Sequence, residues 1–201
     1  MEAALDGGAA GAYNQSERPA GKREKCPEPG RRFLRPRFAR KLPEQSERMN
    51  LRMMLVSACL AGIRCRYDGG CCQNEAAKKL VAAGRALPVC PEQLGGLPTP
   101  RCPCEIDAAC GRVRTRDGRD LTDAFARGAE KSLAIAKEAR AARAALKSKS
   151  PSCGCGLVCD GSFTGRLVPG NGVTAALLKA NGVEIFTEAD LARLLAEDGG
   201  A

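Results

Sequence analysis

Short apolar runs that alternate with helical stretches constrain this chain more than any other feature. Met54–Ala58 is an apolar run that ends in a turn, as a buried strand does. Ala86–Val89, Ala144–Lys147 and Val183–Phe186 read as further strands. Between them lie helical segments. Glu75–Ala83 is stopped by Gly84, and Gly172–Ala180 is closed by Asn181-Gly182. From Thr122 to about Ala142, Phe125, Ala129, Leu133 and Ala136 recur at helical spacing, with Thr122 or Asp123 as the expected cap. A last helix, Glu188–Leu195, follows Thr187, and Thr187 to Asp190 stands in capping-box register. Strands that alternate with helices pair in parallel and carry helices on their faces. The expected fold is α/β: a small open parallel sheet of about four strands, Rossmann-like and three-layered. Pro88 cannot donate a ladder hydrogen bond, which puts the second strand at an edge or a bulge. Residues 91–121 are rich in Pro, Gly and Arg and read mostly as loop; Arg112–Thr115 and Asp117-Gly118 hint at a hairpin.

The 201 residues allow one or two domains. Residues 1–53 show no hydrophobic period, hold five prolines, and carry 12 Lys/Arg against 7 Asp/Glu. They read as a disordered basic extension. Met53 and Met54 stand at the start of the first strand, so the extension also reads as a mis-assigned start. The working domain is then 54–201. A basic tail attracts RNA or DNA, but its plainer reading is a solvated extension. Met1–Ser16 has no apolar core of a secretory signal, and the longest mostly apolar run, Met53–Ile63, falls short of the ~20 residues a bilayer span needs. These features point to a cytoplasmic, reducing setting with no membrane span.

The chain has no His and twelve Cys. Without His there is no Ser-His-Asp or Cys-His catalysis and no His-ligated metal. In a reducing setting, that many thiols favour metal or redox chemistry over disulfides. In open parallel sheets, ligands gather beyond the carboxyl ends of the strands. Cys59 follows the first strand, Cys90 follows the second, and Cys153 lies six residues past the third. Three thiols far apart in sequence thus arrive at one edge, which fits a shared metal centre. Structural zinc favours short-spaced pairs. The pairs Cys102-Pro103-Cys104 and Cys153-Gly154-Cys155 exist, as does Cys71-Cys72, but no Cys-x-x-Cys does. Iron–sulfur clusters accept dispersed thiolates, and a [4Fe-4S] cluster with three cysteine ligands keeps one open iron. The other cysteines, including Cys65, Cys110 and Cys159, read by default as small buried hydrophobes. Gly161–Gly165 and Pro169–Gly172 read as turns.

Six motifs then carry a resemblance, in order. They are Val56–Gly62, Cys65–Gly69, Pro88–Arg101, Asp117–Asp120, Lys147–Gly154 and Gly170–Leu178. Together they resemble the short bacterial thiouracil desulfidases, long catalogued as a domain of unknown function. The likeness runs from about Met54 to Phe186 and leaves out residues 1–53. It implies a [4Fe-4S] enzyme that removes sulfur from 2- or 4-thiouracil or a related nucleoside, giving uracil and hydrogen sulfide without net electron transfer. It implies Cys59, Cys90 and Cys153 as cluster ligands, Glu92 as the catalytic carboxylate and Ser150 as a substrate-contacting serine. Longer relatives that act on tRNA carry a further C-terminal domain, absent before Ala201, so the expected partner is a small thiolated pyrimidine. Seven cysteines (71, 72, 102, 104, 110, 155 and 159) depart from the family pattern.

Glu92 stands two residues from Cys90 and is the candidate general acid–base where His is lacking. Ser57, Ser152 and Asn171 are further candidates for substrate binding. Lys147, Lys149 and Arg101 flank the motifs and either offset cluster charge or serve solubility. Two other readings stay open: a zinc-stabilised RNA-binding module that uses the basic arm, and a thiol or persulfide sulfur carrier that uses the Cys-x-Cys pairs.

Overall fold

The computed structural model describes residues 53–197. The expected extension, 1–53, lies outside them but for Met53. Four strands, β1 (Met54–Ser57), β2 (Ala86–Val89), β5 (Arg143–Leu146) and β8 (Glu184–Thr187), form one sheet in the order β2-β1-β5-β8, every pair parallel. The edge expected for Pro88 is where β2 lies.

The pleat sends successive side chains to opposite faces, and each face has its own helix layer. Met54, Val56 and Ala145 pack with Ala77 and Leu80 of α1 (Glu75–Ala82) and with Leu191 and Leu194 of α5 (Leu191–Glu197). Leu55, Val89, Ala144 and Leu146 pack with Ala136 of α3 (Thr122–Glu138) and with Ala175 and Leu178 of α4 (Val173–Ala180). Full burial of a Leu side chain is worth about 1.5–3 kcal/mol, so these two mostly aliphatic layers supply much of what holds the sheet.

The helix ends differ from the sequence reading in three places. The N-cap of α3 is Leu121, which makes no side-chain capping bond. Thr122 instead accepts the Val113 N–H at 3.1 Å through its hydroxyl, and Asp120 accepts the Thr122 N–H at 2.9 Å. The same helix ends at Glu138 because Arg140 turns left-handed, φ +52°, to enter β5. The last helix starts at Leu191, later than expected. Asp190 accepts from the Thr187 N–H and hydroxyl, at 3.0 and 3.1 Å, so the carboxylate half of the capping box forms while the Thr187 hydroxyl donates rather than accepts.

Two antiparallel hairpins stand apart from the main sheet. One pairs β3 (Cys104–Ile106) with β4 (Val113–Thr115); the other pairs β6 (Leu157–Cys159) with β7 (Leu167–Pro169). The Asp117-Gly118 turn follows β4, with Gly118 at φ +85° and its N–H on the Thr115 carbonyl. A four-residue helix, α2 (Pro91–Leu94), occupies a stretch that reads as loop. Among the described residues no helix is long and apolar enough to cross a membrane.

Candidate active site

The carboxyl ends of the strands open into a cavity of about 470 Å³. Cys59 reaches it from the tight turn after β1, where Leu60 N–H bonds the Ser57 carbonyl at 2.8 Å. Cys90 reaches it as the N-cap of α2, with Pro91 at the first helical position, where its missing N–H costs nothing. Glu92 sits in the first turn of α2 and lines the same cavity. Two glycine-lined contacts fix these loops. A Cβ on Gly128 of α3 would stand 2.0 Å from the Pro91 carbonyl oxygen, so only glycine lets α3 press against α2. A Cβ on Gly172 would stand 2.5 Å from the Ser152 carbonyl.

The Cys153 loop is built on the start of α4. The Pro151 carbonyl accepts from Val173 N–H at 3.0 Å, and the Ser152 carbonyl accepts from Thr174 N–H at 2.9 Å. The first N–H groups of α4, which no residue of the helix itself can satisfy, are thus used up by the loop that carries Cys153.

Six of the eight residues singled out from sequence line the cavity: Cys59, Cys90, Cys153, Glu92, Ser57 and Ser150. Ser152 and Asn171 do not. The buried Ser152 hydroxyl lies 2.9 Å from the Thr174 hydroxyl, and Asn171 accepts the Gly156 N–H at 3.0 Å. Both hold the Cys153 loop to α4. Ser150 accepts the N–H groups of Ser152 and Cys153, each at 3.1 Å, which leaves its O–H to donate. Ser57 accepts the Lys147 N–H at 2.9 Å and hydrogen-bonds the Cys153 sulfur.

The thiols are electrically unequal. Cys65, read from sequence as a core hydrophobe, also lines the cavity and lies beside both Cys59 and Cys90. Its hydrogen bonds to those two sulfurs and its burial raise its pKa. Its S–H lowers the Cys59 thiol and, against burial, brings Cys90 down to about 7, where the Gln93 N–H assists. Burial pushes Cys153 up to about 12, partly offset by the Ser57 hydroxyl. Cys104 and Cys159 line the cavity too, so two of the supernumerary cysteines reach the site. Cys71, Cys102 and Cys110 are exposed, which corrects their reading as buried hydrophobes. All eleven described cysteines are free thiols.

Arg101 is the residue whose role the sequence left open. Its Nε and Nη2 each lie 2.7 Å from Glu92 Oε2, and the pair is nearly buried. Nη2 also donates to the Cys65 carbonyl at 3.1 Å. Lys147 bonds Glu188 at 2.6 Å, and Ser148 gives Glu188 its N–H and hydroxyl at 2.8 and 2.7 Å. Burial raises the Glu188 pKa, but these donors overcome it and hold the carboxyl at about 2. Sequence marked Glu188 only as a helix start; nothing local to it signals a partner forty residues away.

The model of the 2-thiouracil desulfurase family matches residues 54–190. The chain belongs to that family. A second member-like protein, the uncharacterised YbbK of Bacillus subtilis (strain 168), is 44% identical over 151 residues, covering 71% of this chain and all of YbbK. Among solved structures, the [4Fe-4S]-dependent thiouracil desulfidase TudS superposes with a TM-score of 0.67 at 41% identity, over 74% of this chain and 99% of that one. The cavity of this 2-thiouracil desulfurase family member has a charged, thiol-rich lining. Five cations (Arg66, Arg101, Arg116, Lys147, Lys149) face two carboxylates (Glu92, Glu105) around six thiols. The thiols surround a space rather than a point: among the described residues, no three Cys, Asp or Glu side chains are tight enough to hold a single ion. Soft sulfur donors set in a cationic wall suit a large, anionic, thiophilic group.

Proposed function

We propose that this protein is a [4Fe-4S]-dependent thiouracil desulfidase that replaces the sulfur of a thiolated uracil with oxygen in a non-redox hydrolysis. The observation that carries the reading is the meeting of Cys59, Cys90 and Cys153 with Glu92 in one cavity at the carboxyl edge of the sheet. The family match and the likeness to TudS support it. The three cysteines are the proposed ligands, and the substrate is a small thiolated base or nucleoside. The cluster, when bound, supplies an iron with no protein ligand, a Lewis acid for a thiocarbonyl sulfur.

The chain's own groups do the rest. Glu92 takes a proton from the attacking water and returns it to the substrate, so that thiocarbonyl and water become carbonyl and hydrogen sulfide with no electron gained or lost. Arg101 occupies Oε2, and Oε1 has no hydrogen-bond partner among the described residues, so Oε1 is the oxygen for proton transfer. The Ser150 O–H is placed to donate to the substrate. Ser57 steadies the Cys153 sulfur. Ser152 and Asn171 act through the loop that presents Cys153, which replaces a direct role in binding.

The test is anaerobic turnover of 2- and 4-thiouracil with iron and sulfide analysis. Wild type releases hydrogen sulfide, and Glu92→Ala loses about 10²–10⁴-fold in rate, the usual worth of a general acid–base, with cluster content unchanged. A colourless protein with stoichiometric zinc, or equal rates in the variant, overturns the reading.

A further inference from the structure

Aromatic rings are scarce in this domain, and their placement is uneven. The described residues hold four: Tyr67, Phe125, Phe163 and Phe186. Phe125 is in the core, and Phe186 lies under Arg143 and Arg193. The other two line the cavity. Tyr67 is 45% exposed at the rim, whereas Phe163 is half-buried.

Phe163 is also held at a backbone angle that a phenylalanine avoids. It has φ +57° in the turn between β6 and β7, a conformation natural to glycine. Residues persist there only when the surroundings over-determine them, and such positions cluster at functional sites. Here the surroundings are explicit. Glu105 Oε2 on β3 accepts the Gly161 N–H at 3.0 Å and the Phe163 N–H at 2.9 Å, pinning the turn to the opposite hairpin. The Arg116 guanidinium, from the segment just after β4, lies 5.6 Å over the ring centroid. Two hairpins outside the main sheet are thus tied together by one carboxylate, and the outcome is a fixed ring on the cavity wall.

We infer that Phe163 is the specificity-determining wall of the substrate site: its ring stacks the planar pyrimidine, and Glu105 is the positioning residue that holds it there. The inference deepens the thiouracil reading and rests on it. A flat conjugated ring is what a fixed aromatic face selects, and an acyclic thiocarbonyl compound gains little from it. Arg116 backs the ring and keeps its orientation.

Phe163→Gly and Phe163→Tyr separate this role from a structural one. Glycine removes the ring and relieves the left-handed backbone together; tyrosine keeps both. In the cluster-loaded full chain, Phe163→Gly weakens calorimetric binding of uracil and raises KM for 2-thiouracil by about tenfold, within the range of base–aromatic stacking. kcat, iron and sulfide content stay near wild type, and the thermal midpoint is unchanged or higher. Phe163→Tyr binds uracil as wild type does. Unchanged uracil binding in Phe163→Gly, or an equal loss in Phe163→Tyr, overturns the inference while leaving the desulfidase reading intact. A wild type that binds uracil but releases no sulfide sinks the desulfidase reading alone. One that does neither sinks both.

Discussion

The Glu92 carboxylate shows how much one residue's chemistry depends on the partner that holds it. Arg101 uses two of its donors on a single oxygen of Glu92 and a third contact on the Cys65 carbonyl, so it ties the acid–base candidate to the backbone beside two thiols. A guanidinium fork does this in a way that an ammonium cannot. Arg101→Lys is therefore expected to keep the fold yet lose about tenfold or more in turnover, the cost of a misdirected catalytic group. The check is kcat at fixed cluster content. Wild-type turnover in Arg101→Lys would confine Arg101 to a packing role. At this scale the sequence was legible where chemistry and position coincide. Cys59, Cys90 and Glu92 stand within a few residues of a strand end, and a strand end fixes where a neighbour goes. Ser152 was not legible, because whether it faces the cavity or α4 depends on backbone bonds to residues such as Thr174, some twenty residues away, and Asn171 was not, because its partner Gly156 stands on the Cys153 loop.

At the scale of elements, the site rests on close packing between α2 and α3. Gly128 approaches the Pro91 carbonyl so nearly that any side chain must displace α2, and Cys90 and Glu92 move with it. Gly128→Val is expected to destabilise by about 2–4 kcal/mol, at the upper end of overpacking costs because the obstacle is backbone. Chemical denaturation reads the stability. A variant that retains wild-type stability and turnover would show that α2 is free to shift. The four-stranded sheet and its main helices were readable because periodicities of 2 and 3.6 mark them plainly. The hairpins β3–β4 and β6–β7 were not, apart from Arg112–Thr115, which holds β4, and the Asp117-Gly118 turn that follows it. Their strands are three residues long and too short to show alternation, and they are held by cross-hairpin bonds such as those to Glu105. The four-residue α2 is likewise set by Pro91 and its seat on α3 rather than by any period.

For the molecule as a whole, the cavity belongs to no single loop. Its walls come from the ends of β1 and β2, the loop after β5 and both hairpins, so its integrity is that of the tertiary fold. Glu188 joins distant parts of that fold, since its carboxylate takes Lys147 and Ser148 from the end of β5 into the segment between β8 and α5. Those donors hold its pKa at about 2 against an ordinary 4.5, despite burial acting the other way. A carboxyl whose pKa is lower folded than unfolded stabilises the fold above the unfolded value, and that stability is lost as pH falls through the folded value. The Glu188 contribution is therefore complete above pH 4.5 and disappears toward pH 2. Its size is on the order of 2 kcal/mol after allowance for partial exposure. Glu188→Gln should lower the stability of the protein at pH 7 by about that amount, and the difference from wild type should vanish as the acid is titrated. Denaturation midpoints measured at a series of pH values test this directly. A gap between the two proteins that persists unchanged to the lowest pH would show that the Lys147–Glu188–Ser148 bonds do not depend on the charge of the carboxylate.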